Sequence, residues 1–281
     1  MSGRAFGLGT TDGADQRRGD CQNAGMPVHE VAASGFDAQA DSYEQARPSY
    51  PPDAVAWFVE HLLIAPGMTV VDLAAGTGKL TRLLEAFGAN LVAVEPVEGM
   101  TRVLRATLPG VSLVSSTAEA LPFASASLDA VTVAQAFHWF DADAAFAELH
   151  RVLRPGGRVG VVWNARDRSV DWVNEVWSIM DRVEKRAPWR DHNQRNDSGI
   201  GDRPGFGPVH EATFHNEQHQ SPRDVVTRVL SVSHVAVLPP ADQERVLDEV
   251  RTLLASHPAT RGRDVVTIPY RVEAYWCESL S

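Results

Sequence analysis

Val70-Val71-Asp72-Leu73-Ala74-Ala75-Gly76-Thr77-Gly78-Lys79-Leu80-Thr81 is the stretch from which the rest of this 281-residue chain can be read. Thr69–Leu73 is a short run of β-branched and apolar residues, the pattern of a strand covered on both faces in a parallel sheet. Asp72 then lies near the carboxyl end of that strand. Gly76 and Gly78 permit a sharp turn with positive φ and present no Cβ to a ligand, and Lys79 to Phe87 has helical periodicity. Strand, glycine turn and helix together make a place where a small molecule can lie.

Three ligand classes use such a turn, and spacing separates them. A Walker A loop requires a glycine five residues before the Gly-Lys pair and Ser or Thr directly after it; here those positions are Leu73 and Leu80. A dinucleotide fingerprint requires a third glycine where Thr81 stands, although Glu95, ending the next strand (Leu91 to Glu95), suits a ribose diol. That reading is weakened and stays open. What remains is an acid at a strand end, four residues before a Gly-x-Gly, with a second acid ending the following strand. This resembles motif I of the class I S-adenosylmethionine-dependent methyltransferases. The resemblance implies S-adenosylmethionine as cofactor, with Asp72 holding its ammonium directly or through water. It places the cofactor's carboxylate at the turn Ala74, Gly76, Thr77 and Gly78 and at the helix N-terminus, and its ribose hydroxyls on Glu95 beside Pro96.

With 44% hydrophobic residues, the chain can bury a full core as one domain with elaborations. A formal charge of -10 and a pI near 5.4 disfavour nucleic acid as the main partner, since phosphate backbones call for a basic surface. A small-molecule acceptor fits better; oligomeric state is not legible. Cys21 and Cys277 give no disulfide framework, which suits a reducing, cytoplasmic setting. Met1 to Met26 has no apolar signal core, and no stretch reaches about 18 apolar residues, so neither secretion nor membrane spanning has support. Residues 1–34 read as a disordered tail.

Phe36 to Arg47 reads as a helix stopped by Pro48, with an extended connector to Pro52. The phrase Phe-Asp-x-x-Ala-x-x-Tyr-x-x-x-Arg-Pro-x-Tyr-Pro resembles the N-terminal lid of small-molecule methyltransferases near the trans-aconitate and ubiquinone/menaquinone groups. There Tyr43 and Arg47 would close over the methionine end of the cofactor; a plain amphipathic helix packing Phe36, Ala40 and Tyr43 is the alternative. Asp53 to Ile64 and Val97 to Leu108 read as helices, and Met100 as either an adenine contact or simple core. After a third strand, Val111 to Val114, the segment Thr117-Ala118-Glu119-Ala120-Leu121-Pro122-Phe123 is similar to the family's Ala-Glu-x-Leu-Pro-Phe. This implies adenine contacts at Thr117 and Ala118, against a bland reading in which Glu119 caps a short helix.

Leu128 to Ala134 is the fourth strand, and Ala134-Gln135-Ala136-Phe137-His138-Trp139-Phe140 at its end again resembles that group. Ala134 and Gln135 would flank the sulfonium, and His138 is the candidate catalytic base, against the reading of a core or cap histidine. Asp141 caps a helix through Val152, and Leu-Arg-Pro-Gly-Gly turns into a fifth strand, Arg158 to Trp163. Residues 165–205 read as an inserted cap whose helix carries Trp172, Val173, Val176, Trp177 and Met180, a stripe of core or of acceptor pocket. Phe206 to His219 reads as an antiparallel strand; its His210, His215 and His219 lack the partners of a zinc site, so no metal is expected. Helices at Ser221 to Ser231 and Ala241 to Ser256 and a last strand at Val265 to Glu278 follow.

The fold expected is thus α/β and doubly wound: a mostly parallel seven-stranded sheet with an antiparallel C-terminal strand and a helical cap insertion. Residues 35–281 form the methyltransferase domain, comprising lid helices (35–66), cofactor-binding core (67–164), cap and late strand (165–220) and C-terminal helices and strand (221–281). The activity expected is in-line transfer of a methyl group to a small organic acceptor, carboxylates included. Its alternatives are an NAD(P)-binding oxidoreductase and a non-catalytic protein of the same fold.

Overall fold

In the computed structural model, residues 44, 46–184 and 200–281 are described. The elements in chain order are α1 (Pro52–His61), β1 (Thr69–Leu73), α2 (Lys79–Leu84) running into a 3-10 turn (Glu85–Phe87), β2 (Asn90–Val94), α3 (Glu98–Thr107) and β3 (Ser112–Val114). Then come β4 (Leu128–Ala134), α4 (Ala142–Val152), β5 (Leu153–Arg166), α5 (Asp171–Glu184), β6 (His210–Gln220), α6 (Pro222–Leu230), α7 (Ser233–Ala236), α8 (Pro240–Ser256) and β7 (Val266–Glu278).

These strands form a seven-stranded sheet in the order β3-β2-β1-β4-β5-β7-β6. β1 to β5 pair in parallel, while β7 runs antiparallel to both β5 and β6. The expected doubly wound sheet with a reversed last strand is therefore observed. Alternation along the central strands explains why both faces are apolar. Val71, Leu73, Val131, Val133, Val159 and Val161 point into one core with Phe146 and Leu149 of α4. Val70, Ala130 and Val162 point into the other, with Phe58 of α1 and Leu80 and Leu84 of α2. At roughly 1.5–3 kcal/mol for each large side chain buried, these two layers hold the strand tips, and whatever stands on them, in fixed relation.

The tryptophan-bearing stripe of the cap helix is core. Trp172, Val173, Val176, Trp177 and Met180 of α5 pack with Val225 and Val229 of α6, Val250 of α8 and Ile268 and Tyr270 of β7. They form a lobe beside the carboxyl end of β5. The cap expected at Asp141 is observed, and a second helix start carries a cap that was not singled out from sequence. Asp141 accepts from the amides of Asp143 and Ala144 at 3.1 Å, and Ser221 and Asp224 form a reciprocal capping box.

Besides a shift of the expected strand Phe206 to His219, which runs His210–Gln220, two differences from expectation stand out. The Leu-Arg-Pro-Gly-Gly segment is part of β5 itself, not a turn before it. The register to β4 slips between Leu128 and Ala130, and the resulting bulge is held by Gly156 N donating to Ser279 O and Ser279 N to Gly157 O, both at 2.8 Å. Glu119 caps no helix, since its segment is irregular; it accepts from Asp141 N at 3.0 Å, tying that loop to the start of α4. The expected lid helix falls largely outside the described residues, and Tyr43 with it. No helix among the described residues is long and apolar enough to cross a membrane.

Candidate active site

In this strand order the chain leaves β1 toward β2 on one side and reaches β4 on the other, so a crevice opens beyond the carboxyl ends of β1 and β4. Its floor is the turn after β1. Ala74 holds a positive φ of +53°, Gly76 of +58° and Gly78 of +83°. The two glycines have different reasons to be there. A Cβ on Gly78 would come within 2.9 Å of Leu108 Cδ1 and 3.2 Å of Leu104 Cγ, so its hydrogen is what lets the turn rest on α3. A Cβ on Gly76 would meet nothing within 4 Å, because Gly76 faces the open crevice.

Behind this turn the two acids are buried, not solvent-facing. Asp72 is 1% exposed. Its carboxylate accepts from Thr132 Oγ1 of β4 at 2.9 Å and from the Thr81 hydroxyl, and also from the Thr81 amide in the first turn of α2. It therefore caps α2, whose N-terminal neighbour Gly78 has no side chain to do so. Burial outweighs these hydrogen bonds and pushes its pKa up to about 6. Asp72 lies behind the crevice wall, so an ammonium in the crevice would feel its charge through the turn or a water rather than touch it. Glu95, 5% exposed, spans from β2 to the turn: Oε2 accepts from Gly76 N and Oε1 from Val97 N, both at 2.9 Å. Burial raises its pKa, the backbone amides oppose the rise, and Asp72 adds to it. Each oxygen retains a second lone pair for a ligand hydroxyl.

Among the residues expected to bind cofactor, Arg47, Ala74, Gly76, Thr77, Ala134 and Gln135 line this one crevice. Gln135 continues the β4 ladder by donating its amide to Val162 O at 3.0 Å, yet holds a φ of +60°, which turns its side chain out of the strand's alternation. The others are not among its lining residues. Met100 is buried with Val97 and Val103, the arrangement of plain core; Ala118 is buried; Pro96 and Thr117 are exposed. Gly78 is the packing glycine described above.

His138 sits in a single 3-10 turn, its ring 4.6 Å from that of Trp139 and 5.3 Å from that of Trp163. His138 keeps contact with solvent while the two indole rings and the surrounding chain crowd its imidazole. Desolvation first, then the Arg47 guanidinium, push its pKa down to about 4, so the imidazole is neutral at pH 7.

The structure adds residues that were not singled out from sequence. Tyr50, Lys79, Asn164 and Arg228 share the crevice lining. Asn164 at the end of β5 donates to Ser49 O at 3.3 Å, and Asn216 of β6 donates to Ser49 O at 2.8 Å and to Asn164 Oδ1 at 3.0 Å, which pins the connector before α1 across the strand ends. Glu44 accepts from the Thr77 hydroxyl and pairs with Arg82 at 3.1 Å and Lys79 at 3.5 Å, so its side chain rests directly on the glycine turn. Among the described residues no group of three or more His, Cys, Asp or Glu side chains is placed to hold a metal ion. His210 instead stacks on Trp276 at 4.4 Å and His219 contacts the Thr267 hydroxyl at 2.9 Å.

With this geometry in view, comparison with known proteins is specific. Residues 71–161 match a family described as a methyltransferase domain. An uncharacterized methyltransferase of Mycobacterium tuberculosis is 40% identical over 235 residues, covering 84% of this chain and 91% of that protein. An uncharacterized methyltransferase-like protein of Schizosaccharomyces pombe is 31% identical over 258 residues, covering 89% and 98%. Among solved structures, a protein of Anaeromyxobacter dehalogenans described as a putative type II methyltransferase superposes with a TM-score of 0.55 at 28% identity, covering 83% of this chain and 97% of that one.

Proposed function

Because this chain belongs to the methyltransferases, of the class I S-adenosylmethionine-dependent type, we propose that it carries a methyl group from S-adenosylmethionine to a small organic acceptor by in-line displacement. Membership of this family displaces the nicotinamide alternative. The observation that carries the reading is the crevice itself: a turn opened by Gly76, clasped from below by Glu95, at the point where the sheet's strand order reverses. Such a crevice suits a cofactor with a cationic sulfonium, a ribose and an amino acid end. Gly76, Thr77 and Arg47 would hold the amino acid end, Glu95 the ribose diol, and the buried charge of Asp72 would favour the cation through the turn.

In the displacement, a lone pair of the acceptor forms a bond to the methyl carbon while the carbon–sulfur bond breaks. Its electron pair stays on sulfur and S-adenosylhomocysteine leaves. This chain's task is alignment, which can supply roughly 7–11 kcal/mol when both reactants are held in line. Gln135 and Ala134 at the β4 tip would flank the sulfonium, and His138 with Trp163 would wall the acceptor side. A general base works best with a pKa near the working pH. The neutral, weakly basic ring of His138 is better suited to shaping the pocket than to taking a proton, so the reading favours proximity over base catalysis.

Two measurements test this. Calorimetry should show S-adenosylmethionine binding to the wild-type chain and tenfold weaker binding, or worse, to Glu95→Ala. Incubation with methyl-labelled cofactor and a cell extract should yield a labelled small molecule. Cofactor binding without any labelled product would refute methyl transfer, and absence of cofactor binding would refute the site.

A further inference from the structure

The identity of the acceptor can be taken one step further, a step that rests on the methyl-transfer reading. Besides the glycine turn, the crevice is lined by Gln135, Asn164 and Arg228. Arg228 is 2% exposed, among the largest fully buried side chains, and its Nε and Nη1 have no hydrogen-bond acceptor among the described residues. Its guanidinium is held 5.8 Å from the Trp177 ring and 5.9 Å from the Tyr270 ring. The guanidinium of Arg166, from the end of β5, lies 4.7 Å over the same Trp177 ring, with its own Nε also unmatched. Arg47 extends the group, donating to Ser231 O at the end of α6 at 3.3 Å. These arginines are close enough that Arg228 and Arg47, after burial, depress the pKa of Arg166.

No carboxylate among the described residues pairs with Arg166 or Arg228. Asp181, which acts on Arg166 electrostatically, is itself held by Arg168 at 2.7 Å. Gln135, which lines the crevice with Arg228, and Trp177, whose ring lies near both guanidiniums, each carry a buried donor, Nε2 and Nε1, without an acceptor among the described residues. A buried guanidinium without a counter-charge is among the costliest arrangements a fold can contain. Here several donors are left together, so a partner that only accepts, and is negative, answers all of them at once. Aromatic faces fix the guanidinium planes, which suits a planar, two-oxygen anion better than a mobile point charge does.

We propose that Arg228, with Arg166 and Gln135, forms an acceptor subsite for a carboxylate, so that the methyl acceptor is a small organic acid. The gripped carboxylate is a handle and not the atom methylated, because pairing with a guanidinium withdraws the lone pairs that the displacement needs. The acceptor therefore carries a second nucleophile that needs no base, another carboxylate or a neutral amine, on the side toward the sulfonium; with an amine, the proton of the resulting ammonium passes to solvent after the carbon–sulfur bond has broken.

The test uses the full chain saturated with S-adenosylhomocysteine, titrated by calorimetry with succinate, tricarballylate and inorganic phosphate at matched ionic strength. A carboxylate is expected to bind the wild type, and Arg228→Met to weaken it tenfold or more while the Kd for S-adenosylhomocysteine stays within threefold. Without any anion, Arg228→Met should melt at higher temperature than the wild type, because it removes an uncompensated buried charge. If Arg228→Met does not fold, Arg166→Gln is expected to weaken the carboxylate in the same way. The proposal is overturned if phosphate binds and no carboxylate does, if anion binding is indifferent to both substitutions, or if S-adenosylhomocysteine affinity falls in step with the carboxylate's. The last result would assign Arg228 to the cofactor's own carboxylate. Failure of the wild type to bind S-adenosylhomocysteine would instead sink the methyl-transfer reading beneath it.

Discussion

Asp72→Asn should make this protein more stable and worse at binding its cofactor. Asp72 is 1% exposed, and its pKa rises from 3.8 to about 6 because burial outweighs the hydrogen bonds from Thr81 and Thr132. Folding thus favours the protonated form. The contribution of Asp72 to stability is greatest below about pH 4, falls as pH rises from about 4 to about 6, and is flat above that. At about 1.36 kcal/mol per pH unit, the ionised carboxylate costs about 3 kcal/mol at pH 7.5. Asparagine removes that charge with nearly the same shape but can accept from only one threonine hydroxyl, a loss of about 1 kcal/mol. The net gain of about 2 kcal/mol corresponds to a rise in Tm of roughly 4–8 °C for a chain of this size. Thermal melts from pH 4 to 8 should show the gain at neutral pH vanish toward pH 4, while calorimetry should show S-adenosylmethionine bound at least tenfold more weakly. A variant that is less stable at pH 7.5, or that binds the cofactor unchanged, refutes the reasoning that this charge is kept for the ligand and not for the fold.

Further outcomes follow from the same geometry. Glu95→Ala strips acceptors from the amides of Gly76 and Val97, and should weaken S-adenosylmethionine at least tenfold by calorimetry. The two turn glycines should separate. Gly78→Ala, with a Cβ 2.9 Å from Leu108, should lose about 1–3 kcal/mol in urea melts, whereas Gly76→Ala should lose about 1 kcal/mol and most of its cofactor affinity. His138→Ala should keep turnover with a carboxylic acid acceptor, and wild-type kcat/KM should be flat from pH 6.5 to 8, since the ring is already neutral there. A titration near pH 7 abolished by that substitution would restore His138 as the base.

How much of this was legible in sequence depends on whether the signal is local. β1 and β4 were read at their observed bounds because a buried parallel strand is a short apolar run with nothing else to be. Asp141 as a cap and the paired acids at neighbouring strand tips are likewise local facts. The start of β5 was not readable: Pro155-Gly156-Gly157 has the composition of a turn, and it becomes a bulged strand only because Ser279, more than a hundred residues on, supplies the hydrogen bonds. The orientation of Asp72 was also hidden, since it depends on Thr132 from another strand. Arg228 did leave a trace. Val225, Arg228 and Val229 fall on one buried stripe of α6, and a charge at such a position is the kind of local inconsistency that marks a site.

The charges of the crevice then make one arrangement. Asp72 and Glu95 lie behind the glycine turn, where a sulfonium and its amino acid end would rest, and each is held at a raised pKa by burial. Arg166 and Arg228 lie on the lobe built by α5, α6 and β7, with unanswered donors and no counter-ion among the described residues. Neither half is good for stability alone, since buried charge without compensation is a cost on both sides. Filled together, a cationic donor beside the acids and an anionic acceptor beside the arginines would neutralise both and bring methyl and nucleophile face to face. The same field would turn the acceptor so that its carboxylate points away from the sulfonium and its second nucleophile toward it. Selectivity for organic acids and alignment for displacement would then come from one set of residues, without a proton relay.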